Sequence, residues 1–220
     1  MSVVDWHPAT TPRRQSLAGQ TVVLEPLDPV RHGGDLYAAA HDADATWDYL
    51  AYGPFRSSEE FMGWLEQRAP LEDPLTFAIV DRETGLARGL TSLMRIDALN
   101  GVIEVGHIWL SPPLQRTRQA TEALYLQARY VFDELGYRRF EWKCDSLNEP
   151  SRRAAERFGF VYEGVFRQHM VIKGRNRDTA WFSILDGEWP SRRAAFEAWL
   201  SPGNFDSNGR QKASLTELRA

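Results

Sequence analysis

EVGHIWLSPPLQRTRQATEALYLQARYVFDELGYRRFEWKCDSLNEPSRRAAERFGF, residues 104–160, is the stretch that decides the fold. It opens with an apolar run, Val105 to Leu110, whose isoleucine and tryptophan favour a buried strand. The prolines that follow end this strand, since proline cannot donate to a ladder. Apolar residues then recur at helical spacing from about Gln119 to Leu135, and Gly136 ends that helix where a left-handed residue is favoured.

The remainder of the stretch predicts a second strand and a second helix. Residues 139–144 are typical of a strand, and Asn148 can cap a short helix that ends at Gly159. A strand joined through a helix to a neighbouring parallel strand makes a right-handed connection. Hairpins are predicted at three glycine-containing turns, at 83–85, 100–101 and 173–176. We therefore expect an α/β (α+β) domain with a mixed, mostly antiparallel sheet, one central parallel pair and flanking helices.

The loop between the first strand and the helix is basic. It reads Gln115-Arg116-Thr117-Arg118-Gln119-Ala120, followed by Thr121. Free backbone N–H groups and the positive end of the helix dipole converge at a helix start, and guanidinium groups pair with phosphate bidentately. The loop therefore predicts a site for a phosphate-bearing ligand. The alternative, that Arg116 and Arg118 are only solvated charges, stays open.

Composition indicates a single domain with an uneven charge. The chain has 220 residues, of which 43% are hydrophobic, and a formal net charge of −4. Residues 1–110 carry 8 Lys+Arg against 16 Asp+Glu, whereas residues 111–220 carry 18 against 14. A basic half with the phosphate loop and an acidic half would suit an anionic cofactor and a cationic amine, although ordinary surface charge explains the split equally well. The negative total argues against nucleic-acid binding.

Cysteine and histidine usage argues against disulfides and metals. Cys144 is the only cysteine, so we expect no intramolecular disulfide and a reducing compartment, and a small buried hydrophobe is the simpler interpretation of it. The histidines fall singly, at positions 7, 32, 41, 107 and 169, which makes a zinc site improbable. Neither a signal segment nor a run of about 18 apolar residues is present, so we expect a cytoplasmic protein that does not span a membrane.

Three regions are predicted along the chain. Residues 1–18 form an N-terminal arm, residues 19–200 the domain, and residues 201–220 a flexible, polar C-terminal tail. Within the domain a helical pattern runs from about Gly34 to His41, and Ser57 and Ser58 with Glu60 predict the N-terminal cap of a helix that ends at about Arg68. Aromatic residues crowd into a Gly-Pro-broken segment that includes Trp47, Tyr49 and Tyr52. From the residues alone, a hydrophobic plug over the sheet edge is one interpretation of this segment.

At this level of detail the chain resembles the Gcn5-related N-acetyltransferases (GNAT), and within them the RimJ/RimL-like branch that acetylates ribosomal-protein N-termini. The strings EVGHIWLSP, ATEA, LGYRRFEWK, LN-x-x-S and RFGF-x-x-EG-x-FR carry the resemblance, which extends from about Val22 to Pro190. It implies that the two parallel strands splay apart and admit the pantetheine arm of coenzyme A. Unpaired strand amides near Ile108 and Leu110 would bind the arm, and the loop 115–121 would hold the pyrophosphate. The aromatic segment with Trp47, Tyr49 and Tyr52 would line the acceptor pocket, and a hydrophobic plug over the sheet edge stays equally open.

One residue departs from the family's Q/R-x-x-G-x-G/A loop pattern. Gln115 and Ala120 fit it, but Arg118 stands where the first glycine is expected. We interpret Arg118 as an altered phosphate contact.

The resemblance also implies roles for a base and an acid. A strand-borne glutamate about eleven residues before the loop glutamine acts as base in the family, and Glu104 precedes Gln115 by eleven; the alternative is a surface ion pair. His107 has a suitable pKa, but strand alternation predicts that it faces away from Glu104, and a core histidine is the simpler interpretation. If the His107 side chain does face the splay, it would form part of the substrate pocket.

The family's usual general acid is a tyrosine seven residues after an asparagine that corresponds to Asn148. This chain has Ala155 at that position. The RimL-like branch instead resembles this chain in having a serine three residues after this asparagine. Ser151 could hydrogen-bond the leaving sulfur and Asn148 the pantetheine carbonyl. Alternatively, the two side chains form a plain N-cap and a solvated hydroxyl.

The expected function is therefore transfer of an acyl group from acetyl-CoA to a primary amine, by direct attack and without a metal. The acceptor would be a protein N-terminus, a lysine or a small-molecule amine, and a homodimer is implied by the family alone. Succinyl-CoA is the alternative donor, and its second carboxylate would need an arginine such as Arg167, Arg175 or Arg177. The rival interpretations are a non-catalytic acyl-CoA-binding or interaction module and, less favoured, a nucleotide-binding protein.

Overall fold

A computed structural model describes residues 6–219 and shows one mixed sheet with helices on both faces. The strands are β1 (Leu17–Ala18), β2 (Val22–Pro26), β3 (Leu75–Asp81), β4 (Ala87–Asp97), β5 (Val102–Leu110), β6 (Arg139–Asp145), β7 (Val161–Ile172) and β8 (Arg175–Leu185). The helices are α1 (Pro29–Ala40), α2 (Ser58–Arg68), α3 (Arg118–Arg129), α4 (Glu149–Phe158) and α5 (Trp189–Leu200). The strand order is β1-β2-β3-β4-β5-β6-β8-β7.

The only parallel pair in this sheet is β5 with β6, and every other neighbouring pair is antiparallel. Pairing runs from Val102 opposite Arg139 to Val105 opposite Trp142 and then stops, although both strands continue. The strands therefore splay beyond Val105 and Trp142. The predicted fold, a mixed and mostly antiparallel sheet with a splayed central pair, is confirmed.

Two apolar clusters hold the helices on opposite faces of the sheet. One joins Val105 and Phe140 to α3, α4 and α5, and the other joins Leu90 and Trp109 to α1 and α2. Neighbouring strand residues point to opposite faces, so β3, β4 and β5 each contribute to both clusters. The α1–α2 cluster covers these three strands.

Register shifts interrupt the strands around the splay. The register shifts at one place between β3 and β4, at two places between β4 and β5 and at two between β7 and β8. Three of these five shifts contain a residue other than glycine at positive φ: Arg95 at 49°, His107 at 50° and Gln168 at 49°. A left-handed conformation in such residues costs about 1 kcal/mol or more and is common next to functional sites.

Helix boundaries follow local capping, with one difference from the sequence prediction. Ser57 caps α2 as predicted, accepting the Glu60 amide at 3.2 Å. The predicted start of α1 at about Gly34 is wrong, because the helix begins at Pro29. Asp28 accepts the amides of the second and third helical residues, and proline suits the first turn.

The last residues pack against the domain where the sequence predicts a flexible tail. Leu215 is 1% exposed within the α3–α5 cluster, and the Asn204 side chain bonds the carbonyls of Trp199 and Ala213. A few apolar side chains are enough to anchor this polar segment. Of the predicted N-terminal arm, residues 6–18 contact the domain through amides such as that of Ala9, and residues 1–5 lie outside the described part. The bounds 19–200 stay a prediction.

Candidate active site

The first turn of α3 opens toward the mouth of the splay. Thr117 caps the helix, accepting the Ala120 amide at 3.1 Å and donating its hydroxyl to the Leu114 carbonyl at 2.7 Å. Arg116 is exposed and at φ 61°, which turns the loop sharply before the helix. Within residues 6–219 the amides of Arg118 and the next residue have no acceptor, as expected for a first turn. These N–H groups fit an anion.

Two other residues predicted to bind phosphate, Arg118 and Thr121, instead contact other parts of the protein. The Arg118 guanidinium donates to the carbonyl of Leu200 and to Gln20 Oε1, and it lies over the Phe205 ring at 5.1 Å. The structure therefore places Arg118 against the end of α5 and not at the loop mouth. Thr121 is buried and accepts a hydrogen bond from Arg157 at 3.1 Å.

Along β5, the groups predicted to bind an extended ligand border the splay. Ile108 and Leu110 lie beyond the last β5–β6 pair, so the main chain on that side has no strand partner. Gln115 Nε2 donates to the Leu110 carbonyl at 3.0 Å. Gln119 and Ala120, in the first turn of α3, lie next to this loop. The arrangement leaves a strand edge that an extended chain can pair with.

Asn148 and Ser151 stand at the start of α4, on the other wall of the splay. Asn148 is the N-cap and accepts the Ser151 amide at 3.1 Å. Trp142 Nε1 donates to Ser151 Oγ at 3.0 Å. Because the indole N–H occupies a lone pair, the hydroxyl proton of Ser151 stays available for another acceptor. A hydrogen bond from this hydroxyl lowers the pKa of Cys144, although burial raises that thiol's pKa overall.

Glu104 is 5% exposed and lies between two cations. Its Oε2 is 2.9 Å from Lys143 Nζ and 3.2 Å from Arg95 Nη1, and Lys143 also contacts Glu141 at 2.7 Å. Burial raises the pKa of Glu104 above its ordinary value, against the opposing effect of Lys143 and Arg95. A carboxylate with a raised pKa beside the splay has the character of a general base.

His107 lies on the same face as Glu104, so the prediction of opposite faces is wrong. Gly106 is opposite Ser92 and Trp109 is opposite Leu90, so β5 advances by three residues where β4 advances by two. This bulge lets His107 lie on the same face as Glu104. His107 Nδ1 is 3.0 Å from the Tyr52 hydroxyl on that face. Strand alternation fails here because one residue is inserted, which the sequence pattern does not mark.

Electrostatics keep His107 neutral. Burial and the charges of Arg68, Arg95 and Arg177 together lower its pKa to about 4. Burial also raises the pKa of Tyr52 to about 12. At neutral pH the imidazole and the phenol therefore form an uncharged hydrogen-bonded pair beside Glu104.

In the aromatic segment, Trp47 belongs to the core and Tyr49 contacts the start of α4. Trp47 is buried and stacks on Trp109 with centroids 4.8 Å apart, as a hydrophobic plug would. Tyr49 donates its hydroxyl to the Leu147 carbonyl at 3.2 Å, just before α4. Lys173, at the tip of the β7–β8 hairpin, donates to the Trp47 carbonyl at 2.9 Å. These contacts close the space above the Glu104 face from two sides.

Sequence reasoning missed several residues of the site. Lys143 on β6 and Arg95 on β4 hold Glu104, and Trp142, also on β6, holds Ser151. The alternation EWKC in β6 signals that Lys143 shares a face with Glu141. Nothing in the sequence signals the partner on β4.

The described residues also limit other chemistry. Between residues 6 and 219, no group of three or more His, Cys, Asp or Glu side chains could hold a metal ion. In the same part of the chain no helix combines the length and apolar character needed to cross a bilayer.

Comparison with known proteins points to one family. The model described as "Acetyltransferase (GNAT) domain" matches residues 22–161. A crystal structure of a Gcn5-related N-acetyltransferase from Brucella melitensis is 52% identical, with a TM-score of 0.96 and 98% of each chain covered. YdaF of Bacillus subtilis (strain 168), which its name places provisionally among ribosomal N-acetyltransferases, is 29% identical over 78% of this chain and 93% of its own. This likeness supports the RimJ/RimL-like branch.

A more distant structure shares the fold alone. The self-immunity acetyltransferase MccE for microcin C7 was solved in complex with acetyl-CoA and AMP. It is 22% identical and has a TM-score of 0.67, covering 76% of this chain and 93% of MccE.

Proposed function

The chain belongs to the acetyltransferase (GNAT) family, and from that premise we propose that it is an acyl-CoA-dependent N-acyltransferase that acts on a primary amine. Homologues are named N-acetyltransferases, so acetyl-CoA is the proposed donor. The observation that carries the proposal is the splayed β5–β6 pair, with the open first turn of α3 at its mouth.

The residues present fit acetyl-CoA at two places. First-turn amides of α3 and the exposed Arg116 suit a pyrophosphate, and the unpaired edge of β5 suits an amide-containing arm. The diverted Arg118 does not take part, so the loop contributes one exposed guanidinium. Thr117 acts by holding the helix start, and Thr121 by packing behind it.

Acyl transfer needs a base, and we assign this role to Glu104. The acyl group arrives as a thioester; the amine nitrogen forms a bond to its carbonyl carbon, and the carbon–sulfur bond breaks. Glu104 accepts a proton from the ammonium, directly or through water, because only the free amine has a lone pair for attack. The charges of Lys143 and Arg95 fix its carboxylate toward this face.

Ser151 stabilises the departing sulfur. Its oxygen accepts the indole N–H of Trp142, which leaves its proton to donate, and with acyl-CoA bound this proton turns from the Cys144 thiol to the departing sulfur. Asn148 caps α4 through its side-chain oxygen, and we assign its amide NH₂ to the pantetheine carbonyl. The uncharged Tyr52–His107 pair and Tyr49 line the acceptor side, whereas Trp47 supports them from the core.

The proposed activity can be tested by release of free CoA. The protein is mixed with acetyl-CoA and a panel of peptide and small-molecule amines, and thiol formation is followed with a chromogenic reagent. Cys144, the only cysteine, is buried and gives a low background. Amine-dependent thiol release, with the acetyl group found on the amine, supports the proposal. Binding of acetyl-CoA without release for any amine would favour a non-catalytic acyl-CoA-binding module instead.

The finer attributes stay predictions. They are the choice among a protein N-terminus, a lysine and a small amine, a homodimeric state, a cytoplasmic location, the absence of nucleic-acid partners, and succinyl-CoA as a donor. The panel of amines addresses the choice of acceptor, and repeating it with succinyl-CoA addresses the choice of donor.

A further inference from the structure

Two arginines near the proposed acceptor side carry positive charge without a counterion. Arg68, at the end of α2, and Arg177, on β8, are half-buried, and within residues 6–219 neither has a carboxylate at ion-pair distance. Nε and Nη1 of Arg68 and Nε of Arg177 are shielded from solvent and have no hydrogen-bond acceptor. The indole N–H of Trp181, on the same strand as Arg177, is also without one.

Two of these three side chains lie on the same face of the sheet as Glu104. In β8, Arg177 and Trp181 are four residues apart and lie on one face, and Trp181 is paired with Lys143, the partner of Glu104. Lys143 Nζ is 3.8 Å from the Trp181 ring centroid. Arg177 thus shares the Glu104 face.

Arg68 approaches the same face from the end of α2. Its guanidinium carbon is 4.5 Å from the centroid of Tyr52, whose hydroxyl contacts His107. The charges of Arg68 and Arg177 both act on His107, so both guanidinium groups lie within electrostatic range of this imidazole.

The carboxylates of this face are engaged elsewhere. Glu104 is held by Lys143 and Arg95, and Glu141 by Lys143 and Arg139. Asp145, the carboxylate whose charge acts most strongly on Arg177, accepts the Leu147 amide and lies beyond ion-pair distance of that arginine. Burial lowers the pKa of both Arg68 and Arg177, which shows that their charge is desolvated without full compensation. Such groups are costly unless a ligand satisfies them.

We propose that Arg68, Arg177 and the Trp181 indole form a subsite for a carboxylate on one of the two reactants. The inference rests on the proposed acyltransferase function and specifies the substrate class. The carboxylate belongs either to the acceptor, as an amino acid or similar amine, or to the acyl group of a dicarboxylic acyl-CoA such as succinyl-CoA. Planar guanidinium groups pair bidentately with either.

Two experimental arms separate the sources. In the acceptor arm, acetyl-CoA is held constant and ω-amino carboxylates are compared with their neutral amides by kcat/KM. In the donor arm, binding of succinyl-CoA and acetyl-CoA is compared by titration calorimetry, without any acceptor. We expect a preference of about tenfold or more for the carboxylate in one arm, since one charge-assisted pair contributes about 10- to 100-fold.

Variants test whether the arginines cause the preference. Arg177→Gln and Arg68→Gln should each remove it, and Trp181→Phe, which keeps the ring but loses the N–H, should reduce it. Arg210→Gln is the control, because it makes the same chemical change at an exposed arginine outside β8. Thermal melting identifies any variant that fails to fold.

Each outcome decides the proposal. Acyl-CoA binding with no preference for a carboxylate in either arm overturns the subsite and leaves the acyltransferase function intact. A preference that survives in both Arg177→Gln and Arg68→Gln also overturns it. Absence of binding by any acyl-CoA overturns the proposed function together with the subsite.

Discussion

Replacing Glu104 with glutamine tests the proposed base, and Glu141 supplies a matched control. The two carboxylates are opposite each other in the parallel β5–β6 pair, and both contact Lys143, at 2.9 and 2.7 Å. Each is almost fully buried. Glu104→Gln and Glu141→Gln therefore disturb the same cation by the same chemical change, but only Glu104 has the proposed proton-transfer role.

The structure sets the expected magnitudes. In either variant Lys143 keeps one carboxylate and its contact with the Trp181 ring, so the free energy of unfolding should fall by about 1–3 kcal/mol, less than for a fully unpaired buried charge. Loss of a general base should lower kcat by about 10²- to 10⁴-fold in Glu104→Gln. Glu141→Gln should change kcat by no more than about threefold, since it removes no proton acceptor.

The assay is CoA release from acetyl-CoA at saturating amine, measured from pH 5 to pH 9. Because burial raises the pKa of Glu104, the acid limb of the wild-type profile should lie above the ordinary glutamate pKa of 4.5. Activity should rise as this carboxyl loses its proton, and the limb should vanish in Glu104→Gln. Equal kcat losses in the two variants would refute the base role and leave Glu104 as part of an ion-pair network.

Three further predictions concern other parts of the molecule. Ser151→Ala should lower kcat by about 10- to 100-fold with the acetyl-CoA Kd unchanged, because its hydroxyl acts on the departing sulfur; full turnover would contradict that role. Asn148→Ala should lower the free energy of unfolding by about 1 kcal/mol, as measured by urea unfolding, through loss of the α4 cap. Glu25, held by Arg31 and His32, has its pKa lowered to about 2, so its stabilisation is present above pH 4.5 and lost as the pH falls toward 2. Glu25→Gln should therefore lower the free energy of unfolding by about 1 kcal/mol at pH 7, as measured by urea unfolding. The difference in this free energy between variant and wild type should narrow between pH 5 and pH 3.

The sequence predicted those parts of the site that depend on local patterns. The Ser57 and Asn148 caps use short-range hydrogen bonds, and the β5–α3–β6 connection follows from periodicity and handedness. These signals lie within a few residues of the feature that they specify. The splay itself was expected from the family resemblance and not from the residues alone.

The bulges escaped prediction for a physical reason. A strand's alternation depends on every residue being extended, and His107 breaks it with a positive φ that its residue type does not announce. Arg118 was assigned to phosphate from its place in the loop, but its long side chain reaches the Leu200 carbonyl, far along the sequence. Contacts between distant segments decide where a flexible side chain points.

The counterions of Glu104 illustrate the same limit. Arg95 reaches it from β4 because a bulge turns that residue toward the face, and Lys143 reaches it from β6. The sequence gives no register between these strands. The candidate base could be named from the sequence, but its electrostatic environment could not.

The most direct test is titration calorimetry of the full-length protein with acetyl-CoA, and with ATP as the comparison ligand. Pairing of an extended arm with β5, together with a pyrophosphate at the start of α3, predicts one acetyl-CoA site per chain with a Kd of about 1–100 μM. ATP lacks the arm and should bind at least about tenfold more weakly. No heat with acetyl-CoA, or equal affinity for ATP, would contradict a coenzyme A site at the splay.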